Sequence, residues 1–306
     1  MTRTALLAVL LCACSHSPRS DGDESPADER ATPGAADDEA VQIKTTAMGG
    51  NVHMLEGRGG NIGVSAGNDG ALIIDDQFEP LAPKIRAAVD ALGGGGLKFV
   101  INTHWHGDHT GGNVVFGKDA TIIAHTNVRR RLSTEQNVRG RVTPPLPDEG
   151  LPMITFAESV TLHFNGEEVR VIHFPHGHTD GDSVVYFAGS NVVHMGDHYF
   201  NGRFPFVDME TGGDVQQYAT NVGKVIEMVP ADARVIPGHG PASDVEELRA
   251  FHGMLTETID SVRAQMKAGK RPKQMKLDNK WDSWGSGFID SETWIQTIHA
   301  SLTKKS

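Results

Sequence analysis

The sequence predicts an α+β domain built from two sheets flanked by helices. One observation is a series of short β-type segments between residues 41 and 75, separated by turns rich in Gly and Asn and followed by a helical pattern at 81–92. The other is a second β series at 159–195, with Asn165-Gly166 as a hairpin turn. Because no repeat of solenoid length is visible, we expect one domain over residues 41–306. Helical patterns follow the second series at 214–228, 242–266 and 292–302.

Each element is predicted from a local pattern. The helix at 81–92 follows Pro80 and stops at the four glycines 93–96, which end a helix. The run at 97–102 is apolar and favours β structure, so it is predicted to be a short buried strand. A Pro-rich loop is expected at 144–152. Strands are expected at 41–46, 51–56, 61–66, 71–75, 97–102, 121–125, 159–164, 168–174, 183–187, 191–195 and 234–236.

The first 14 residues have the pattern of a bacterial export signal. Arg3 precedes an apolar run at 5–11 that is too short to span a bilayer permanently. Residues 11–14 (Leu-Cys-Ala-Cys) resemble a lipobox with Cys14 as the lipidated residue. We expect a periplasmic lipoprotein held at a bacterial membrane by this lipid anchor alone. Ordinary signal cleavage, which gives a soluble periplasmic protein, is the alternative.

Charge and cysteine content restrict the partners and the ligands. Residues 15–40 contain eight acidic and two basic residues, and we expect a disordered linker there because this composition buries too little apolar surface. The formal charge of −11 argues against nucleic acid, whose phosphates require clustered cations. No protein partner is predicted. Both cysteines lie in the leader, so the domain must hold any metal with His and carboxylate groups.

Potential metal ligands are concentrated directly after the predicted strand at 97–102. Residues 103–112 (Thr-His-Trp-His-Gly-Asp-His-Thr-Gly-Gly) form a tight loop at a strand end, where side chains can converge. Imidazole and carboxylate suit zinc, and iron or manganese also accept them. Four ligand-type residues lie in this loop, namely His104, His106, Asp108 and His109. Three more follow predicted strands downstream, namely His178, Asp197 and His239.

In this order, the His-x-His-x-Asp-His motif and the three later residues resemble the metallo-β-lactamase superfamily over about residues 41–270. The resemblance implies an αββα sandwich with two zinc ions in a groove at one edge of the β core. It assigns the first ion to His104, His106 and His178, the second to Asp108, His109 and His239, and makes Asp197 the bridge. It also implies that Asp75 orients a ligand from behind the loop. A plain turn residue beside Asp76 is the alternative interpretation of Asp75.

The expected reaction is hydrolysis of a small molecule. Two divalent ions lower the pKa of a shared water to about 7, and the resulting hydroxide attacks a carbonyl or a phosphorus. Asp108, as a ligand next to the nucleophile, is the candidate for orienting it or moving its proton. A β-lactam is the best single substrate, because export places the enzyme where such compounds arrive.

Two other functions remain open on the sequence. Asp197 is the residue typical of glyoxalase II and lactonases, whereas the best-known β-lactamases have Cys there. This favours a lactone, a thioester or a phosphodiester as substrate. The third hypothesis is a non-catalytic metal-binding lipoprotein, which the complete ligand set argues against.

The aromatic segment at 198–206 supplies the substrate-binding candidates Arg203 and Tyr199. Arg203 could pair with a substrate carboxylate, although a surface arginine in a packing loop is an equal alternative. His198 is a candidate for lining the pocket. The helical C-terminal tail, with Trp281, Trp284 and Trp294, is expected to pack on the core rather than wall the groove.

Overall fold

The computed structural model describes residues 35–138 and 140–304, and it confirms the αββα arrangement of two facing sheets with helices on their outer faces. The predicted export signal, Cys14 and most of the acidic linker lie outside the described residues. Within the described ranges, no helix is long and apolar enough to cross a membrane.

The loop at residues 103–112, called the metal loop below, lies at one end of the strands of the first sheet. Seven strands lie in the order β1-β2-β3-β4-β5-β6-β9, antiparallel from β1 to β4 and parallel from β4 to β9, while β7 and β8 pair with each other. Asp75 follows β4 and the metal loop follows β5, so both lie at the carboxyl ends of neighbouring parallel strands. The strands are β1 (Lys44–Gly49), β2 (Val52–Glu56), β3 (Ile62–Gly67), β4 (Gly70–Ile74), β5 (Leu97–Asn102), β6 (Thr121–His125), β7 (Gln136–Val138), β8 (Arg141–Thr143) and β9 (Ile154–Phe156).

The second sheet supplies the remaining ligands from the same edge of the sandwich. Its six strands lie in sequence order, and β13 and β14 are parallel. Asp197 follows β13 and His239 follows β14. The predicted hairpin is present, since Asn165 (φ 51°) and Gly166 (φ 82°) turn the chain between β10 and β11. The strands are β10 (Ser159–Phe164), β11 (Glu167–His173), β12 (Ser183–Phe187), β13 (Val192–His194), β14 (Arg234–Ile236) and β15 (Ser243–Asp244).

Three apolar layers hold the four structural layers together. One lies between the sheets and includes Ile74, Ile101 and Val185. A second joins the first sheet to the helix at Ala82–Ala91, and a third joins the second sheet to the helices beyond Asp214. Because both of its faces are covered, β4 is buried at all five positions. The helices are α1 (Ala35–Ala40), α2 (Ala82–Ala91), α3 (Gly107–Thr110), α4 (Asn113–Phe116), α5 (Thr126–Leu132), α6 (Val215–Met228), α7 (Val245–Lys267) and α8 (Ser291–Thr303).

The prediction of a disordered linker up to residue 40 is wrong at its end. Helix α1 occupies the last six residues of that stretch, and Asp38 is only 5% exposed. Its carboxylate accepts two hydrogen bonds from Arg58, and Lys84 donates to the carbonyls of Asp38 and Glu39. Within α1, the carboxylate of Asp38 is thus paired with a cation of the folded domain.

Candidate metal centre

The metal loop is fixed by hydrogen bonds on both sides of its ligands. Asn102, the last residue of β5, and Asn113 exchange two side-chain amide hydrogen bonds of 3.0 Å. The Thr110 hydroxyl donates to the carbonyl of His106, and the Gly112 N–H donates to the Asp76 carboxylate. His104 and His106 lie on the extended segment before α3, and Asp108 and His109 lie within this short helix.

The structure brings the seven predicted ligands together in two groups. The ligand atoms within each group lie within 4.8 Å of one another, and all but His239 are buried. The first group is His104, His106, His178 and Asp197, and the second is Asp108, His109 and His239.

The three histidines of the first group turn unprotonated nitrogens toward one point. His106 Nε2 lies 3.0 Å from Asp208 Oδ2, and His178 Nδ1 lies 2.8 Å from the carbonyl oxygen of Phe206. Each of these nitrogens faces an oxygen acceptor and must donate to it, so in the neutral imidazoles His106 Nδ1 and His178 Nε2, which lie 2.8 Å apart, carry no proton. His104 is held in the same way through Thr103.

The second group combines two imidazoles with a carboxylate. Asp108 Oδ2 lies 3.4 Å from His109 Nε2 and 3.3 Å from His239 Nε2. Burial alone would raise the pKa of Asp108, but the neighbouring His109 and His239 hold the pKa of this carboxyl well below its usual range. Asp108 is therefore a carboxylate at neutral pH. The side chain of His239 is 18% exposed and those of Asp108 and His109 at most 4%, so the group opens to solvent beside His239.

Asp197 lies between the two groups with one oxygen directed at each. Its Oδ2 lies 3.4 Å from His178 Nε2, and its Oδ1 lies 3.1 Å from His109 Nε2 and 3.4 Å from His239 Nε2. Burial would raise its pKa, yet the surrounding histidines, His109 first, hold the pKa well below its ordinary value. This is the position required of a carboxylate that bridges two cations.

The residues present fit two metal ions. Among the described residues, both oxygens of Asp197 and Oδ1 of Asp108 are buried without a hydrogen-bond partner. Buried carboxylate oxygens without partners are unfavourable unless a cation compensates them. Imidazole nitrogens that face each other without a proton between them require a cation for the same reason. Oxygen and nitrogen donors without thiolate suit zinc and accept iron or manganese.

Asp75 lies behind the loop, where the resemblance placed it. Its Oδ2 is 2.7 Å from His109 Nδ1, and its two oxygens accept hydrogen bonds from the backbone N–H and the hydroxyl of Thr103. The residue has a left-handed φ of 63° and is fully buried. A carboxylate in this position fixes the tautomer of His109 and directs its Nε2 at the second group.

Asp208 is a functional residue that the sequence analysis missed. It holds His106, while its Oδ1 accepts the backbone N–H groups of Glu210 and Thr211, both at 3.2 Å. The signal in the sequence was the capping pattern Asp208-x-x-Thr211, which marks a helix start but does not indicate which ligand lies opposite. Contact between residues 106 and 208 depends on the packing of the two halves.

The prediction that Tyr199 binds substrate is wrong. Its ring is fully buried against Phe251, and its hydroxyl lies 2.9 Å from Ser243 Oγ. His198 also lies in the core, stacked on Tyr218 with Nε2 3.2 Å from the Asn221 amide. The alternation of the extended chain places Phe200, rather than Tyr199, beside the metal groups.

Arg203 is half-buried, and its side chain packs against the backbone at Gly287 in the C-terminal tail. Its role as a substrate ligand stays a prediction. Two aromatic rings of the same segment do border the site. Phe200 stacks on His239 with ring centroids 5.0 Å apart, and Phe206 lies 5.7 Å from the ring of His178.

The C-terminal tail packs mainly on the core, as expected. Trp294 is fully buried and donates to Thr258 Oγ1, and its ring stacks on Phe204. The ring centroid of Phe288 lies 6.1 Å from that of Phe206, and Phe288 packs against the same core cluster.

Comparison with known proteins agrees with this geometry. The metallo-β-lactamase superfamily model matches residues 48–249. The chain is 23% identical over 189 residues to metallo-β-lactamase type 2 of Bacteroides fragilis (62% of this chain, 70% of the relative). It is 30% identical over 166 residues to hydroxyacylglutathione hydrolase of Nitrosococcus oceani (53% of this chain, 56% of the relative). Its fold is similar to that of a metallo-β-lactamase from Pontibacter korlensis, with a TM-score of 0.58 at 18% identity, over 70% of this chain and 99% of that one. The chain therefore belongs to the metallo-β-lactamase superfamily, whose members are metal-dependent hydrolases.

Proposed function

We propose that the protein is an exported hydrolase with two zinc ions and that a β-lactam is its first candidate substrate. The observation that supports two ions is the position of Asp197. Neither of its oxygens has a hydrogen-bond partner among the described residues, and each lies against a different ligand group. His104, His106 and His178 would hold the first ion, Asp108, His109 and His239 the second, and Asp197 both. When bound, the ions supply Lewis acidity and a water of low pKa.

The protein residues would position the reactants. Asp108 is ionised, so it would hold the second ion and orient the attacking water as a hydrogen-bond acceptor. Substrate would enter beside His239, the exposed ligand. Phe200 and Phe206 would form an apolar border that excludes water from the reacting carbonyl.

A thioester is the second candidate substrate, and lactones and phosphodiesters are less favoured. Asp197 gives a donor set without thiolate, and the similarity to hydroxyacylglutathione hydrolase supports an acyl thioester of the same reaction class. Both reactions attack a carbonyl, so the metal groups alone do not distinguish them.

The test measures metal content and turnover on purified protein loaded with zinc. Two zinc ions per chain and nitrocefin hydrolysis that a chelator abolishes would support the β-lactamase. Two zinc ions with turnover of a hydroxyacyl thioester and none of nitrocefin would support the alternative. Two zinc ions without turnover of nitrocefin, thioesters, lactones or phosphodiesters would leave a metal-binding lipoprotein. Fewer than two would refute the dinuclear site.

Export and lipidation at Cys14 form a separate part of the proposal, supported by the leader sequence. Expressed in a Gram-negative host, the protein should fractionate with membranes, and Cys14→Ser should release it or retain an uncleaved leader. Cytoplasmic retention of the unmodified chain with its leader intact would refute export.

A further inference from the structure

Helix α1 is tied to the domain by two cations, Arg58 through a side chain and Lys84 through backbone carbonyls. Arg58 Nε and Nη2 both donate to Asp38 Oδ1, at 2.9 and 2.6 Å, and the guanidinium lies 4.1 Å from the centroid of the Phe78 ring. The side chains of Arg58 and Asp38 are only 20% and 7% exposed. Lys84 Nζ donates to the carbonyls of Asp38, Glu39 and Val41, which stabilises the carboxyl end of α1. Partial burial makes this ion pair more persistent than an exposed one.

The segment that carries Arg58 lies directly on the second metal group. Gly60 N–H donates to the carbonyl of Asp108 at 3.1 Å, and Gln77 Nε2 donates to the carbonyl of Gly60 at 2.8 Å. A methyl group on Gly59 would approach the Asp108 carbonyl to 2.7 Å, and one on Gly60 would overlap the His109 ring. The backbone of residues 59–60 is thus in contact with two ligands of the second group.

We propose that Arg58 is a positioning residue for the second metal site. Arg58 binds the Asp38 carboxylate of α1 and packs on the Phe78 ring. These two contacts hold residues 57–60 against Asp108 and His109. The proposal rests on the dinuclear function. It concerns an element outside the family match, because α1 precedes residue 48, where that match begins.

The proposal predicts a selective effect on metal affinity. Arg58→Ala in the full-length chain should weaken zinc binding at the second site by about tenfold, the lower end of the range for residues that hold ligands in place. The first site should stay within about twofold, because His104 and His178 are held by Thr103 and Phe206 instead. Asp38→Asn should give a smaller loss of the same selectivity.

Stepwise zinc titration against a chromophoric chelator measures both dissociation constants, and His239→Ala, which removes a second-site ligand, assigns them. Arg86→Ala is the matched control. It also removes an arginine that pairs with an aspartate (Asp119, 2.9 Å) and lies over a phenylalanine ring (Phe116, 5.3 Å), without contacting residues 57–60. It should leave both constants unchanged.

The outcomes separate this proposal from the function on which it rests. Fewer than two zinc ions in the unaltered protein would overturn the dinuclear function and this proposal with it. Two zinc ions there, with an unchanged second constant in Arg58→Ala, would overturn the positioning role alone. Equal weakening of both sites would also overturn it, since general destabilisation is not selective. If Arg58→Ala does not fold, Asp38→Asn, which keeps the size of the side chain, decides by the same criterion.

Discussion

Replacing Asp208 with Asn tests how strongly the protein holds its first metal ligand group. The wild-type carboxylate accepts three hydrogen bonds, one from His106 Nε2 and two from backbone N–H groups. Asn keeps the shape, but its amide nitrogen must face either His106 or the backbone donors. In the first orientation one buried donor loses its acceptor and in the second orientation two do, and each loss costs about 1–3 kcal/mol. His106 also becomes free to change its tautomer, so we expect zinc affinity at the first site to fall about 10- to 100-fold.

The assay is zinc competition in a His239→Ala background, in which the first site is measured alone. Asp214→Asn is the control, because Asp214 caps α6 with the same kind of hydrogen bonds but contacts no metal ligand. The control should lower the thermal midpoint without changing zinc affinity. If Asp208→Asn binds zinc at the first site as tightly as the parent, the assignment of the His106 proton to Nε2 is refuted.

Three further predictions concern single residues. Gly60→Ala places a methyl group within 2.7 Å of both ring nitrogens of His109, so second-site zinc affinity should fall by at least about tenfold. The control Gly253→Ala, in an open position of α7, should instead stabilise the protein by about 0.5–1 kcal/mol. Unchanged zinc binding in Gly60→Ala would contradict the packing argument. Asn165→Ala loses side-chain hydrogen bonds with Asp69, Ser65 and Gly70, and Ala tolerates the left-handed φ of this turn less well than Asn, which predicts a loss of about 2–4 kcal/mol in the free energy of unfolding measured with urea. Asn165→Gly should recover about 1 kcal/mol of this, and equal losses would exclude backbone strain. Burial and the stacked ring of His173 lower the pKa of His125 to about 4, so this pair stabilises the fold above pH 6.5 and loses that contribution as the pH falls toward about 4. His125→Gln should flatten the dependence of the urea midpoint on pH over this interval, and an unchanged slope would exclude His125 as its source.

The sequence was most informative where a local pattern sets the structure. The strands at Leu97–Asn102, Thr121–His125, Ser159–Phe164, Ser183–Phe187 and Arg234–Ile236 have the predicted bounds, because each is a short run of β-favouring residues bounded by turn residues. All seven predicted ligands converge, since each follows a strand whose end meets the same edge of the sandwich. Helix α5 was not predicted from the sequence. In the fold its Arg131 bonds the Asp180 carboxylate and the Thr211 carbonyl.

What the sequence could not predict depends on contacts between distant residues. Asp208 meets His106 across the interface of the two halves, and Tyr199 faces the core because the partner of its hydroxyl is Ser243. Neither fact has a local signature, since a capping aspartate and an aromatic residue are common in any loop.

Regions outside the family match also contribute to the site. Helix α1, before the matched residues, reaches the second metal group through Arg58. Residues after the match reach the first group through the backbone. Phe204 N–H donates to the Trp284 carbonyl, and Phe206, two residues further on, holds His178 with its own carbonyl. Each metal group is thus braced by an element outside the matched residues 48–249. In relatives that share the seven ligands but lack these elements, the ratio of the zinc affinities of the two sites should differ from the ratio in this protein.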